Sequence, residues 1–283
     1  MFNVRRMNPE DFEFAVKITD TMNWNLTEED FKFMTSLEPD GCFILLYGSE
    51  RVGLATTIFF EGSSPLGWIG NLIVDEDHRK MGGGAFLVNH ALNYLKNRGA
   101  KAIGLYSYRE QVGFYTKLGF KREEEFTVLF GKVQSNPFGK MPIKNGKGDM
   151  GRIMNLDAYH FGASRERLLK KIAASKQNPL YCVFDRGGVL GYVMAKVYSC
   201  GYAEVGPLLC LEGLKNVASS LLGAVLEGLE NFEVSICVLK REEEIFNQLM
   251  EAGLRESFDV VRMFYGQSAL KKCIYSPESL ERG

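Results

Sequence analysis

The chain has 283 residues, 46% hydrophobic and 24% charged, with a formal net charge of −1 and a pI of about 6.4. That is enough apolar material for one large domain or two ordinary ones, and it offers no basic field to hold nucleic acid by its phosphates. No apolar run reaches membrane-spanning length, and the charged opening MFNVRRMNPEDFEFAV has no signal-peptide core, so no membrane partner is expected and the expected location is the cytoplasm.

Pro9, Glu10 and Asp11 precede FEFAVKITDTM, and acids ahead of an amphipathic run predict a first helix. NLTEEDFKFMTSL predicts a second, with Thr27 as its N-cap and acids in its first turn. CFILLYGSERVGLATTIFF reads as a β-hairpin around a Gly/Ser turn. LGWIGNLIVDED is a further strand that ends in acids. Val88, Ala91, Leu92 and Leu95 form the stripe of a helix from about Gly84 to Arg98, stopped by Gly99. AKAIGLYSY is a strand, EQVGFYTKLG a short helix and EEFTVLFGK a strand.

Residues Gly131 to Gly151, GKVQSNPFGKMPIKNGKGDMG, are rich in Gly, Pro and Lys without apolar periodicity and read as a linker. Beyond it the pattern repeats. CVFDRGGVLGYVMAKV echoes CFILLYGSERVGLATT, and FNQLMEAGLRESFDVVRMFYG echoes FYTKLGFKREEEFTVLFG. Two copies of one fold follow, with expected boundaries 1–132 and 151–283 and a linker at 133–150.

Six cysteines, Cys42, Cys182, Cys200, Cys210, Cys237 and Cys273, form no C-x-x-C pair, and His78, His90 and His160 lie far apart. The expectation is small core residues in a reducing compartment and no metal site.

The segment HRKMGGGAFLV concentrates the chemistry. Three glycines lie between a strand and an amphipathic helix, where the first helical amides lack partners and the helix dipole favours an anion. Glycine lets oxygens approach the amides, and Arg79 and Lys80 add positive charge. A flexible linker does not fit so short a loop between periodic segments, whereas a simple tight turn stays open. The pattern is neither G-x-x-x-x-G-K-[ST] nor G-x-G-x-x-G, which disfavours a Walker loop and a dinucleotide fold.

Arg79-Lys80-Met81-Gly82-Gly83-Gly84 resembles the coenzyme A loop Arg/Gln-x-x-Gly-x-Gly/Ala of the GNAT superfamily of N-acetyltransferases. The preceding NLIVDEDHR and the later GFYTKLGFKREEEF resemble that superfamily's strand and its Phe-Tyr-x-Lys-x-Gly-Phe turn, in the right order. The likeness covers residues 1 to about 132. FGASRERLLKKI and AEVGPLLCLEG in the second half resemble the smaller GNAT-like domain of some tandem proteins. The fold class implied is α/β (α+β), with two GNAT-like domains, each a mixed, mostly antiparallel sheet flanked by helices.

The resemblance implies that acetyl-CoA lies in a V between NLIV and AIGLYSY. The backbone near Leu72, Ile73 and Val74 would pair with the pantetheine arm. Amides from Arg79, Lys80, Met81, Gly82, Gly83, Gly84 and Ala85 would receive the pyrophosphate. An amine would attack the thioester directly, so the cysteines need no nucleophilic role. Tyr115 matches the family's general acid for the thiolate; a core tyrosine packing a short helix is the other reading, and the matching Phe114, Lys117, Gly119 and Phe120 favour the acid. Where relatives often carry Asn, this chain has Tyr108.

Trp24 and Asn25, between the first two helices, are candidates for the acceptor wall, although a buried anchor fits them too. The acceptor expected is a small-molecule amine. A non-catalytic acyl-CoA sensor and a protein-lysine acetyltransferase are the alternatives. In the second half Leu249 stands at the position of Tyr115, and CLEGLKNVASSLL has no glycine loop, so its chemistry reads as lost.

Overall fold

A computed structural model describes residues 1–283. In the first half β1 (Phe2–Arg6) leads into α1 (Phe12–Asp20) and α2 (Glu28–Leu37). Then follow β2 (Cys42–Tyr47), β3 (Glu50–Phe60), β4 (Leu66–Val74), α3 (Gly83–Asn97), β5 (Ala102–Tyr108), α4 (Val112–Lys117) and β6 (Lys121–Lys132). The second half has β7 (Lys144–Asn145), α5 (Met150–Phe161), α6 (Glu166–Ala173), β8 (Leu180–Asp185) and β9 (Gly188–Val197). It continues with β10 (Tyr202–Leu211), α7 (Lys215–Glu227), β11 (Glu233–Leu239), α8 (Glu243–Glu251), β12 (Arg255–Gly266) and β13 (Cys273–Ser276). From α1 to β6 and from α5 to β12 the order of elements is the same. No helix is long and apolar enough to cross a membrane.

Local chemistry accounts for most of these elements. The Thr27 side chain accepts from the Asp30 amide while Asp30 accepts from the Thr27 amide, a reciprocal cap that starts α2. α3 buries Leu87, Val88, Ala91, Leu92 and Leu95, the stripe legible in the sequence. The pattern missed β1, which pairs antiparallel with β2 from Phe2↔Tyr47 to Arg6↔Phe43. Its FNVRR has too few apolar residues to alternate visibly, and its partner supplies the order. The Gly131–Gly151 stretch is held down in part, because Phe138 is buried over α7 and the Gly139 amide donates to Ser219 Oγ at 3.0 Å.

The strands form one 13-stranded sheet, ordered β1-β2-β3-β4-β5-β12-β6-β11-β10-β9-β8-β7, with β13 on β10. The halves exchange their last strands. β12 of the second half pairs with β5 of the first, Val260↔Tyr108 to Gly266↔Ala102. β6 of the first pairs with β11 of the second, Glu233↔Lys132 to Leu239↔Phe126. β6 and β12 pair with each other at the centre. Neither half therefore closes its sheet with its own chain alone.

One core cluster runs through the join. It combines Leu66, Trp68 and Phe126 of the first half with Phe161, Tyr192, Leu239 and Phe264 of the second. A second cluster holds α3 and α4 against the first half's sheet, with Val74, Leu95 and Tyr115. A third holds α7 and α8 against the second half's sheet, with Leu222 and Leu249. Alternation along β4 puts Trp68 on the face of the shared core and Ile69 on the face of α3 and α4. The first half thus presents two chemically separate faces.

Candidate active site at the parting of two parallel strands

β4 and β5 run parallel and pair only at Leu66↔Ala102, Gly67↔Ile103 and Trp68↔Gly104. Beyond Trp68 the strands part. β4 stays paired with β3 as far as Gly53↔Val74, so its other edge from Ile69 onward has no strand partner. A register shift falls between Leu54 and Thr56, and Asn71 opposite it takes φ 48°. Asn71 Nδ2 donates to Thr56 Oγ1 at 3.2 Å, while its Oδ1 is buried without a partner. Unpaired backbone and an orphaned acceptor together mark an edge built for an extended polar ligand.

The edge leads to the glycine loop. The Arg79 Nε donates to the Val74 carbonyl at 2.9 Å, which ties the loop to the strand end. Lys80 at φ 63° and Gly82 at φ 90° are left-handed and turn the chain into α3. The first helical bond is from the Phe86 amide to the Gly82 carbonyl at 3.0 Å, so the amides of Gly83, Gly84 and Ala85 have no partner within the helix. Arg79, Lys80, Met81 and Gly82 are exposed. The arrangement offers amides and positive charge to an anion.

The three glycines do different work. Gly82 supplies the left-handed turn, and a Cβ there would meet nothing. At Gly83 a Cβ would lie 2.9 Å from the Phe2 ring and 3.1 Å from Leu45, so close packing on the sheet requires its absence. At Gly84 the nearest atom is Phe114 Cζ at 3.4 Å, ordinary contact, so the protein itself leaves room there.

That contact links the two sequence motifs, because Phe114 and Tyr115 sit together in α4. Tyr115 is buried between Phe114 and Phe120, with ring centroids 5.0 and 5.8 Å away. Burial alone raises its hydroxyl above the ordinary tyrosine range, which keeps the proton on it at neutral pH. Leu72, Val74, the loop and Tyr115 share the α3/α4 side, while Ile73 points into the core under α1 and α2.

The opposite side carries Trp24 and Tyr108. The Trp24 indole donates to the Tyr108 hydroxyl at 2.9 Å, and Tyr108 packs on Phe258 of β12 at 5.3 Å between centroids. Asn25 is exposed, with φ 53°. The residue that departs from the family pattern is thus bonded to the tryptophan singled out for the acceptor wall.

The second half has the same parallel pair and a different outcome. β10 and β11 pair from Tyr202↔Glu233 to Val205↔Ile236. They part at Gly206-Pro207, but here β13 enters and pairs antiparallel with β10, Leu208↔Ser276 to Leu211↔Cys273. The Ser276 hydroxyl bonds to the Cys237 carbonyl of β11. This opening is closed by the chain itself. No tyrosine replaces Leu249, which is fully buried in the core. The strand readable as CIYS is too short and too close to Pro277 to announce itself. A Gly inside each apolar strand, in WIGNLIV and in EVGPLL, was the available signal for a break in pairing.

Five cysteines are buried and Cys200 is exposed, and all six are free thiols. Burial raises the Cys42 thiol to about 12 and Cys273 to about 11, which makes both inert as thiolates at neutral pH.

A parallel pair that parts occurs in both halves, and only in the first does it leave an unpaired strand edge beside helix amides without partners in the helix. The acetyltransferase (GNAT) family matches residues 5–120, and the acetyltransferase (GNAT) domain matches residues 153–274. The chain belongs to the GNAT acetyltransferase family, with two such domains in tandem.

A Methanocaldococcus jannaschii protein named as an uncharacterized N-acetyltransferase is 30% identical over 108 residues, 33% of this chain and 45% of that protein's length. A candidate acetyltransferase of Pyrococcus horikoshii has a similar structure, with TM-score 0.81 at 21% identity over 100% of this chain and 96% of its own. A tandem GNAT protein from the clavulanic acid biosynthesis pathway has TM-score 0.63 at 14% identity, over 95% of this chain and 100% of its own. At these identities the two structures share the fold.

Proposed function

We propose that this protein is an acetyl-CoA-dependent N-acetyltransferase that acts on a small amine, with one working site, in the first half. The observation that carries this reading is the unpaired β4 edge running from Ile69 to Val74 into the free amides of Gly83, Gly84 and Ala85. Acetyl-CoA supplies an activated acetyl thioester. The β4 backbone at Leu72, Ile73 and Val74 orients its arm as an added strand would. The loop from Arg79 to Ala85 holds its pyrophosphate by amides, the helix dipole and the Arg79 and Lys80 charges.

Tyr115 holds a proton on the same side as the loop and donates it to the departing sulfur. The acceptor enters from the other side, past Trp24 and Tyr108. The closed β10–β11 opening leaves the second half as scaffold and as supplier of β12.

Thiol release from acetyl-CoA across a panel of amines tests the activity, and calorimetry with coenzyme A tests the site count. The expected results are amine-dependent release and a stoichiometry near one. Absence of coenzyme A binding to the folded protein refutes the reading.

A further inference from the structure

The segment after β13 does not leave the molecule. It runs from the second opening to the first. A Cβ on Gly206 would lie 2.0 Å from the Pro277 carbonyl, and one on Gly70 would lie 2.4 Å from the Glu281 carbonyl and 2.5 Å from its Cα. The chain therefore crosses β10 at the parting of β10 and β11, and four residues later it crosses β4 two residues beyond the last β4–β5 pair. Trp68 Nε1 donates to the Leu280 carbonyl at 3.2 Å. Arg165, itself fully buried on Asp157, donates to the Gly283 carbonyl at 2.6 Å. Gly70 faces the Trp68 side of the sheet, so this segment lies with Trp24 and Tyr108 and across the sheet from Tyr115.

Charges along the segment do not balance. Glu278 is fully buried and pairs with Lys196 at 2.8 Å and Arg282 at 2.7 Å. Lys196 also pairs with Glu204 at 2.5 Å. Two cations thus already serve two carboxylates. Glu281 is the third carboxylate, and its nearest cation is Arg282 Nη1 at 4.0 Å, beyond hydrogen-bond reach. Like Glu204 it keeps solvent access, each with 23% of its side chain exposed, while Glu278 has 0%, but Glu204 is already paired with Lys196. Its surroundings register the unmatched charge. Burial first, with Glu281 and Glu110 adding, raises the Tyr108 hydroxyl, against the Trp24 hydrogen bond. Burial first, with Glu281 and Glu278 adding, raises Glu204 to about 6 despite Lys196. Beside it on β4, Asn71 Oδ1 is a buried acceptor without a donor.

We propose that Glu281, carried by the second half into the mouth of the first half's opening, pairs with a second, non-reacting ammonium of a diamine acceptor, whose other nitrogen attacks as the neutral amine, and so selects cationic over neutral amines. The inference rests on the acetyltransferase reading above. It gives the second half a part in substrate choice without a site of its own.

The test compares 1,4-diaminobutane, cationic at pH 7.5, with 4-methoxyaniline, neutral there, in the intact protein and in Glu281→Gln. Coenzyme A binding is measured separately by calorimetry. The expected result is a KM for diaminobutane raised about fivefold in Glu281→Gln, the upper end for one partly exposed ion pair. The kcat, the kinetics with 4-methoxyaniline and coenzyme A affinity should stay near the parent values, and Glu281→Asp should recover part of the KM. Equal changes with both amines, or none, overturn the proposal. So does a parent protein that binds acetyl-CoA but does not acetylate diaminobutane.

If Glu281→Gln does not fold, salt titration of the parent decides. With acetyl-CoA kept saturating, the KM for diaminobutane, and not for 4-methoxyaniline, must rise with added NaCl; equal responses overturn the pairing. Failure of the parent to bind coenzyme A strikes the acetyltransferase reading instead.

Discussion

The two strand partings in this chain begin alike and end differently. β4 and β5 separate after Trp68↔Gly104 and leave β4 an open edge; β10 and β11 separate after Val205↔Ile236 and receive β13. The open edge leads to a glycine loop, two basic residues and a tyrosine, while the filled one leads to Leu214, the N-cap position of α7, and to a buried leucine. Unpaired backbone in a protein interior is costly and must find partners. The second half meets that demand with its own residues and gains stability. The first half leaves that edge of β4 without a strand, which is where the proposed ligand would pair. A four-residue strand thus removes the unpaired edge that distinguishes the first parting from the second.

The largest effect should come from separating the halves. A fragment of residues 1–132 loses β12 from the edge of β5 and both neighbours of β6. It should show no cooperative thermal transition by circular dichroism, whereas the full chain melts as one unit. A fragment that melts cooperatively would mean that β6 can fold back beside β5 and that the exchange is dispensable.

Within the open site, Tyr115→Phe removes a proton donor and almost no volume. The expected loss is about 10²-fold in kcat with coenzyme A affinity unchanged, read by steady-state kinetics beside calorimetry. Gly84→Val should weaken coenzyme A binding by about tenfold or more. The protein leaves room at Gly84, so the added methyls point where the ligand is proposed to sit, and overpacking there costs about 1–3 kcal/mol. The same titration sharpens the contrast, since no residual second site should remain once this one is weakened.

Alkali should act on both halves together. Burial raises the Tyr106, Tyr115 and Tyr192 hydroxyls well above their ordinary value of 10.0, and Tyr275 to about 12. The folded chain holds these protons after the unfolded chain has released them. Their contribution is complete below pH 10 and is lost as pH climbs from 10 through 12. Melting temperatures should stay level from pH 8 to about 10 and fall steeply above it. The smallest effect should come from Trp24→Phe, which removes the hydrogen bond to Tyr108. That is worth about 1 kcal/mol, or a few-fold in the acceptor's KM, with no change in coenzyme A affinity.

The sequence by itself determined most of the elements, though not β1 or β13, and their repeat. Apolar spacing marked α3 through Val88, Ala91, Leu92 and Leu95, local capping marked α2 at Thr27, and glycines beside Arg79 and Lys80 marked the loop. These are signals carried within a few residues of each other, where periodicity and backbone preference act. It also paired Gly119-Phe120 with Gly253-Leu254 and so found Leu249 in place of a tyrosine. Only the tertiary structure decided where the last strands go. β6 and β12 have similar patterns and either could sit beside β5; the choice depends on partners more than a hundred residues away. The same holds for β13, for the Trp24–Tyr108 bond and for Glu281 against Gly70. In each, one side of the contact is contributed by a distant element, and no local pattern of hydrophobicity or charge encodes which distant backbone will arrive.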